Sequence, residues 1–338
     1  MSGIQQPQTQ YHHHGRFVVK GGVLPDAITA YRTYGNPKNP CIVFPTCYGG
    51  KLDSQLYMVG EDKVMDPQKY FVVTFALFSN GESSSPSNTP APYNGPYFPN
   101  VTYEDNIRAQ YVVLQKLGVS KVFAVIGFSM GGQQAYHWPV MYPDFVERYV
   151  VICGSARTSP HNISFLEGPK AALVASKDFE NGHYTTTPQH GIRAFGRVYC
   201  TWAYGQTWFR EHLYKMDGQF PDLQSFIRER WEGRFLANWD ANDLLTLLHT
   251  WQQGDISKIN DAGDLETCLR KIKAKGLVMP SKTDLYFPPE DNVNELQSLT
   301  STAKLVVIDT VWGHTAGGGS NAKDDAFVQA QIKQFLEE

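Results

Sequence analysis

Short apolar runs alternate along the chain with longer segments of helical spacing. Cys41-Ile-Val-Phe44 ends at Pro45 and leads into the loop Thr46-Cys-Tyr-Gly-Gly50. Phe71-Val-Val-Thr-Phe75 precedes a Ser-, Pro-, Asn- and Gly-rich stretch from Ser79 to Asn100. A helical pattern then covers Asp105 to Leu117, with Ile107, Val112, Leu114 and Leu117 on the repeat and Gly118 as the stop. Lys121-Val-Phe-Ala-Val-Ile126, a second helical stretch from Gln133 to Met141, and Val146 to Ile152 continue the alternation. Runs that are apolar at every position, not at every second one, predict strands covered on both faces, hence a parallel sheet between helices. Phe17 to Lys20 and Ala27 to Thr33 predict a short leading pair of strands.

Near Ala156 the alternation stops. As far as about Asp264 the chain is helical and aromatic, with Trp202, Tyr204, Trp208, Phe209, Phe226, Trp231, Phe235, Trp239 and Trp251. The earlier pattern resumes with Gly276-Leu-Val-Met279, Val293 to Leu299 and Lys304-Leu-Val-Val-Ile308, and a final helix is predicted from Asp325 to Leu336. The expected organisation is a sheet domain over 17–155 and 265–338, interrupted by a helical lid or cap over 156–264. The polar stretch Met1 to Arg16, with His12, His13 and His14, reads as a flexible start and lacks the apolar segment of a secretory signal.

With 42% hydrophobic and 19% charged residues in 338, the composition is that of a globular protein. The 30 basic and 33 acidic residues give a net charge of −3, so no cationic surplus exists for nucleic acid or an anionic membrane surface. No run of 18 apolar residues predicts a membrane span. Five cysteines, Cys41, Cys47, Cys153, Cys200 and Cys268, are odd in number and widely spaced, which predicts reduced thiols and a cytoplasmic setting. H-E-x-x-H, Walker and G-x-G-x-x-G patterns are absent, so neither a metal nor a nucleotide cofactor is expected.

Reactive chemistry concentrates at Gly127-Phe-Ser129-Met-Gly131. A predicted strand runs into this pentapeptide and a predicted helix runs out, the strand–turn–helix of a nucleophile elbow. So tight a turn demands very small neighbours, lifts the hydroxyl clear of the sheet, and leaves the Met130 N–H at a helix start, where an oxyanion can be held. Serine is a poor nucleophile without a base, so a carboxylate and then a histidine are expected downstream. Among ten histidines, His314 follows a late strand behind a glycine. Asp284, after the strand Leu277 to Met279, is favoured as its partner over Asp309. The second oxyanion donor falls in Thr46-Cys47-Tyr48, with the Cys47 N–H the favoured group and its thiol not the nucleophile.

Beyond the elbow, the chain resembles the homoserine O-acetyltransferase family of α/β-hydrolases. The resemblance is carried by Asn80-Gly81 through Pro86, Gly95-Pro-Tyr-Phe-Pro99, Thr102 through Asp105, Gly127 through Gly132, Tyr142-Pro143, Arg157, Trp239 through Asp243, and Asp284 with Phe287-Pro288-Pro289. It implies an α/β-hydrolase fold, acylation at Ser129, a triad completed by Asp284 and His314, and oxyanion donors at Cys47 and Met130. The family tendency also implies a homodimer through the insertion, which Trp208 and Phe209 would suit if exposed, though they would equally suit a capped pocket. Two positions depart from the transferase pattern. Phe128 stands before the serine in place of glycine, and Thr315 follows the histidine in place of an aspartate that would hold the substrate's ammonium. Losing such a charge-assisted partner costs on the order of 2–5 kcal/mol, about thirtyfold to several-thousandfold in affinity. With Arg193-Ala-Phe-Gly-Arg197-Val-Tyr199, this places the chain nearer the esterase-like members. The expected activity is hydrolysis of a small uncharged ester, with Thr46, Tyr48, Phe128, Arg197, Tyr204 and Thr315 lining the pocket. The alternatives are transfer of an acyl group from acetyl-CoA to an alcohol other than homoserine, and a non-catalytic binding protein of the same fold.

Overall fold

The computed structural model describes residues 7–299 and 302–338. Its centre is an eight-stranded sheet. In chain order the strands are β1 (Gln10–His13), β4 (Ile28–Tyr34), β5 (Cys41–Pro45), β6 (Phe71–Phe75), β7 (Val122–Phe128), β8 (Arg148–Ile152), β9 (Lys275–Met279) and β10 (Ala303–Leu305), while β2 (Phe17–Val19) and β3 (Gly22–Leu24) form a separate hairpin. Across the sheet the order is β1-β4-β6-β5-β7-β8-β9-β10. β1, β4 and β6 pair antiparallel, and every pairing from β6 through β5 to β10 is parallel.

β5 and β6 are buried along their whole length, and β7, β8 and β9 along most of theirs, because successive residues feed two different cores. In β5, Cys41 and Val43 pack with α1 (Tyr103–Lys116) and α2 (Met130–Met141). Ile42 and Phe44 pack instead with Val328, Ile332 and Phe335 of the last helix, Ala322–Leu336. A third cluster belongs to the segment between β8 and β9, where α3 (Pro160–Val174), α4 (Gln189–Ala203), helix Ala241–Gln252 and shorter helices enclose Phe195, Trp208, Phe226 and Trp251. Arg157 ties the two ends of this segment together. Its Nε donates to Asp255 at 2.9 Å, and a terminal nitrogen donates to Ser257 Oγ and the Gly263 carbonyl, both at 2.6 Å. Among the described residues no helix is long and apolar enough to cross a membrane.

The structure corrects three expectations. Residues 1–6 of the expected flexible start lie outside the described residues, but Gln10–His13, including two of the three clustered histidines, form the edge strand β1. An edge strand solvated on its open side shows no apolar alternation, which hides it in the sequence. The two leading segments do not pair with each other: Phe17–Val19 pairs with Gly22–Leu24, and Ile28–Tyr34 joins the main sheet. Val293 to Leu299, between the two resumed strands, lies mostly in helix Pro289–Leu296, as the strand–helix alternation expects, with proline at its first position. Of the two readings open for Trp208, an exposed interface or a capped pocket, the first fails: the side chain is fully enclosed and stacked on Tyr204 with centroids 3.7 Å apart.

Candidate active site

β7 ends at Phe128, and α2 begins at Met130, leaving one residue for the turn. That residue, Ser129, takes φ 58° and ψ −123°, a conformation costly for a side-chain-bearing residue and held only by its surroundings. Gly127 makes the turn feasible. A Cβ there would lie 1.9 Å from the Gly131 carbonyl oxygen and 2.1 Å from its carbon.

Asp284 sits in the turn after β9, and His314 in the turn Gly313–Gly317 that follows the Ile308 bridge to Ser281. Thr283, beside the aspartate, fastens the two turns together. Its Oγ1 donates to the Thr310 carbonyl at 3.0 Å and accepts from the Gly313 N–H at 3.1 Å. The three side chains form one line: His314 Nδ1 lies 2.7 Å from Asp284 Oδ2, and His314 Nε2 lies 2.8 Å from Ser129 Oγ. An ionised carboxylate only accepts, so Nδ1 carries the ring proton and Nε2 turns its lone pair toward the serine hydroxyl. Asp284 Oδ1 is occupied by the N–H groups of Tyr286 at 2.8 Å and Phe287 at 3.0 Å. The imidazole packs among the rings of Phe128, Tyr286 and Phe287, with centroids 4.8, 4.7 and 5.7 Å away. Asp309, the competing carboxylate, is instead exposed and paired with Lys282 at 2.8 Å.

Ser129 and His314 open onto a cavity of about 130 Å³, below the ~300–1,000 Å³ of pockets for drug-sized ligands. Its wall includes Cys47, Tyr48, Phe128 and Thr315 from the expected set. Three others stand elsewhere. Thr46 turns its Oγ1 away to accept the Leu77 N–H at 3.1 Å. Tyr204 lies beyond the end of α4 inside the cap core, stacked on Trp208. Arg197 pairs with Glu232 outside the cavity. Tyr199 and Ala203, four apart, are the α4 residues on the wall, and a position two before Tyr199 points about 200° around the helix.

Sequence reasoning missed Tyr57, Tyr199, Trp231, Arg234, Phe235 and Tyr286 as wall residues. For Tyr199 a signal existed: Ile192, Phe195, Tyr199 and Ala203 form one apolar stripe of α4. Arg234 has no such pattern; it reaches the wall by donating to the Gly49 carbonyl at 3.1 Å. No Asp or Glu occurs among the described wall residues, and the Thr315 hydroxyl donates to the Trp312 carbonyl at 2.8 Å.

Burial pushes the Cys47 thiol up to about 11, so it is protonated at neutral pH. Among the described residues, the Cys47 N–H has no protein acceptor, and the Met130 N–H, first in α2, has none within its helix. The described residues hold one cluster close enough for a metal ion, Cys153, Asp284 and His314. Two of its three members are already hydrogen-bonded to each other.

A strand–serine–helix elbow at the end of a parallel strand, with aspartate and histidine delivered from later strand ends, defines a class of enzyme scaffold. The chain belongs to the α/β-hydrolase fold family, whose model matches residues 40–316. It is 34% identical over 325 residues to an ethyl acetate hydrolase of Pseudomonas veronii, covering 94% of this chain and 92% of that one. It is 30% identical over 310 residues to a homoserine O-acetyltransferase of Chloroherpeton thalassium, covering 87% and 80%. An acetylester hydrolase from Corynebacterium glutamicum superposes with a TM-score of 0.93 at 29% identity, over 98% of this chain and 96% of that one.

Proposed function

We propose that the protein is a serine esterase that hydrolyses small, uncharged esters, acetates of short alcohols above all, through an acyl-enzyme on Ser129. The observation that carries this reading is the unbroken line from Asp284 through His314 to Ser129 at the wall of a small cavity. Ser129 Oγ attacks the acyl carbonyl carbon while His314 Nε2 takes its proton. Asp284 holds the imidazole in the required tautomer and stabilises its charged form. The Cys47 and Met130 N–H groups receive the oxyanion. Collapse of the tetrahedral intermediate expels the alcohol, which leaves with the proton from His314. Water then adds to the acyl carbon, giving its proton to Nε2, and the carboxylic acid departs as Ser129 recovers its hydrogen.

Acyl transfer from acetyl-CoA is the second reading, supported by the similarity to homoserine O-acetyltransferases. Hydrolysis is favoured because the described wall residues include no carboxylate for an amino-acid ammonium, and because the Thr315 hydroxyl is committed to Trp312. The test is turnover of ethyl acetate and p-nitrophenyl acetate by the wild type and by Ser129→Ala. Release of acid and alcohol by the wild type alone supports the proposal; equal turnover by the variant overturns it. Release of CoA from acetyl-CoA that depends on an added alcohol would move the assignment to the transferase.

We also place the protein in a reducing cytoplasmic setting, supported by five free cysteines, four of them buried. A homodimer through the insertion rests on the family tendency, since Trp208 is not available at the surface. Sedimentation at micromolar concentration decides it.

A further inference from the structure

The two N–H groups assigned to the oxyanion come from different elements, Cys47 from the loop after β5 and Met130 from the first turn of α2. A single buried amide touches both segments. Gln134 Nε2 donates to the Thr46 carbonyl at 3.2 Å and to the Met130 carbonyl at 3.3 Å. Its Oε1 accepts from Gln110 Nε2 at 2.8 Å, and Gln110 Oε1 accepts from Trp138 Nε1 at 3.2 Å. Gln134, Gln110, Trp138 and Thr46 are each at most 1% exposed.

This chain of hydrogen bonds has one direction. An indole N–H only donates and a peptide carbonyl only accepts, so both amides between them are forced into a single orientation. The Thr46 carbonyl and the Cys47 N–H belong to one planar trans peptide and point opposite ways. Drawing the Thr46 carbonyl toward the Gln134 side chain therefore turns the Cys47 N–H the opposite way, and Cys47 is a wall residue of the catalytic cavity.

We propose that Gln134 is a positioning residue that fixes the direction of the Cys47 N–H and its spacing from Met130, so that both donors meet the oxyanion. The proposal rests on the reading of these two groups as oxyanion donors. Deleting one such donor outright costs about 10²–10³ in kcat. A donor left in place but free to turn is expected to cost less than its deletion, about ten- to a hundredfold, up to the bottom of that scale.

The experiment compares the wild type with Gln134→Met and Gln134→Glu, with thermal unfolding recorded for each. The readouts are kcat and KM for p-nitrophenyl acetate, their pH profiles, and affinities for a small trifluoromethyl ketone and the matching methyl ketone. The trifluoromethyl ketone adds to Ser129 and forms an oxyanion; the methyl ketone occupies the pocket without one. In Gln134→Met, kcat/KM and trifluoromethyl ketone affinity should fall by the same ten- to hundredfold factor. KM, methyl ketone affinity and the inflection of the pH profile should hold. In Gln134→Glu the enclosed neutral carboxyl can still donate O–H to Thr46, so activity should stay within a few-fold of wild type and fall as that carboxyl ionises at higher pH. Gln134→Met within threefold of wild type, or equal weakening of both ketones, overturns the proposal. If Gln134→Met does not fold, Gln134→Glu decides, and activity indifferent to the carboxyl's ionisation overturns it. A wild type that does not react at Ser129 would fail the functional reading itself, a result distinct from an active wild type with an unaffected Gln134→Met.

Discussion

Replacing Asp284 with asparagine should disable the enzyme by changing a tautomer while leaving the geometry in place. Asp284 Oδ1 takes two backbone N–H groups, from Tyr286 at 2.8 Å and Phe287 at 3.0 Å. In Asp284→Asn only the amide oxygen can satisfy those two donors, so the NH2 group is forced into the place of Oδ2, facing His314 Nδ1. Two donors cannot share that contact. The imidazole must carry its proton on Nε2 and present an N–H, not a lone pair, to Ser129 Oγ across the 2.8 Å gap. The base is then lost at neutral pH, an effect of about ten-thousandfold in kcat, or roughly 5.5 kcal/mol at 1.36 kcal/mol per decade. Thermal stability should change far less, since the exchange keeps shape and removes a buried charge. Steady-state kinetics with p-nitrophenyl acetate from pH 6 to 9, alongside thermal unfolding, reads both quantities. Asp309→Asn is the control: its carboxylate is exposed and bound to Lys282, so activity should match wild type. A kcat for Asp284→Asn within tenfold of wild type would refute the reasoning.

Three further outcomes are expected. Cys47→Ala should keep kcat within about threefold, because only a backbone donor is used at this position, and a kcat more than about a hundredfold below wild type in a folded Cys47→Ala would contradict this. Gly127→Ala must displace the start of α2, since its Cβ would meet the Gly131 carbonyl oxygen at 1.9 Å; a shift on the order of 1 Å at the nucleophile costs about a hundredfold in rate, and wild-type kcat in a folded variant would count against the elbow. Glu295 is buried, and its burial raises its carboxyl from 4.5 to about 7. The folded state then holds a proton that the unfolded state releases between those values, so the contribution of Glu295 to stability falls as pH rises from 4.5 to about 7 and levels off above. The fall is about 3 kcal/mol at 1.36 kcal/mol per unit. Chemical denaturation should show the stability of the wild type falling relative to that of Glu295→Gln across this range, and a difference that does not change with pH would disprove the linkage.

The legible parts of this molecule are those where local chemistry allows only one arrangement. Gly127 and Gly131 around Ser129 betray the elbow because no larger residue fits at Gly127. β5 is apolar throughout, and β6 and β8 are so except at Thr74 and Arg148, because two cores claim alternate residues, and that demand is written directly into the runs. His314 could be picked out because a late strand and a glycine place it at the sheet end where Ser129 emerges. The cap was harder to read. Its helices are amphipathic, but which faces form its own core and which border the cavity depends on how they cross. Arg197 and Tyr204 were expected in the pocket and are not, whereas Tyr199, Trp231 and Phe235 are. The edge strand at Gln10–His13 escaped notice for the converse reason, since solvated backbone pairing leaves almost no trace in side-chain type.

Intact and peptide-level mass spectrometry after a brief exposure to p-nitrophenyl acetate tests the central claim most directly. The account predicts a single acetyl group on the peptide containing Ser129, formed within the first turnover, lost again as water releases acetate, and absent from Ser129→Ala. Acetyl groups on any other residue, or rapid turnover by Ser129→Ala, would contradict it.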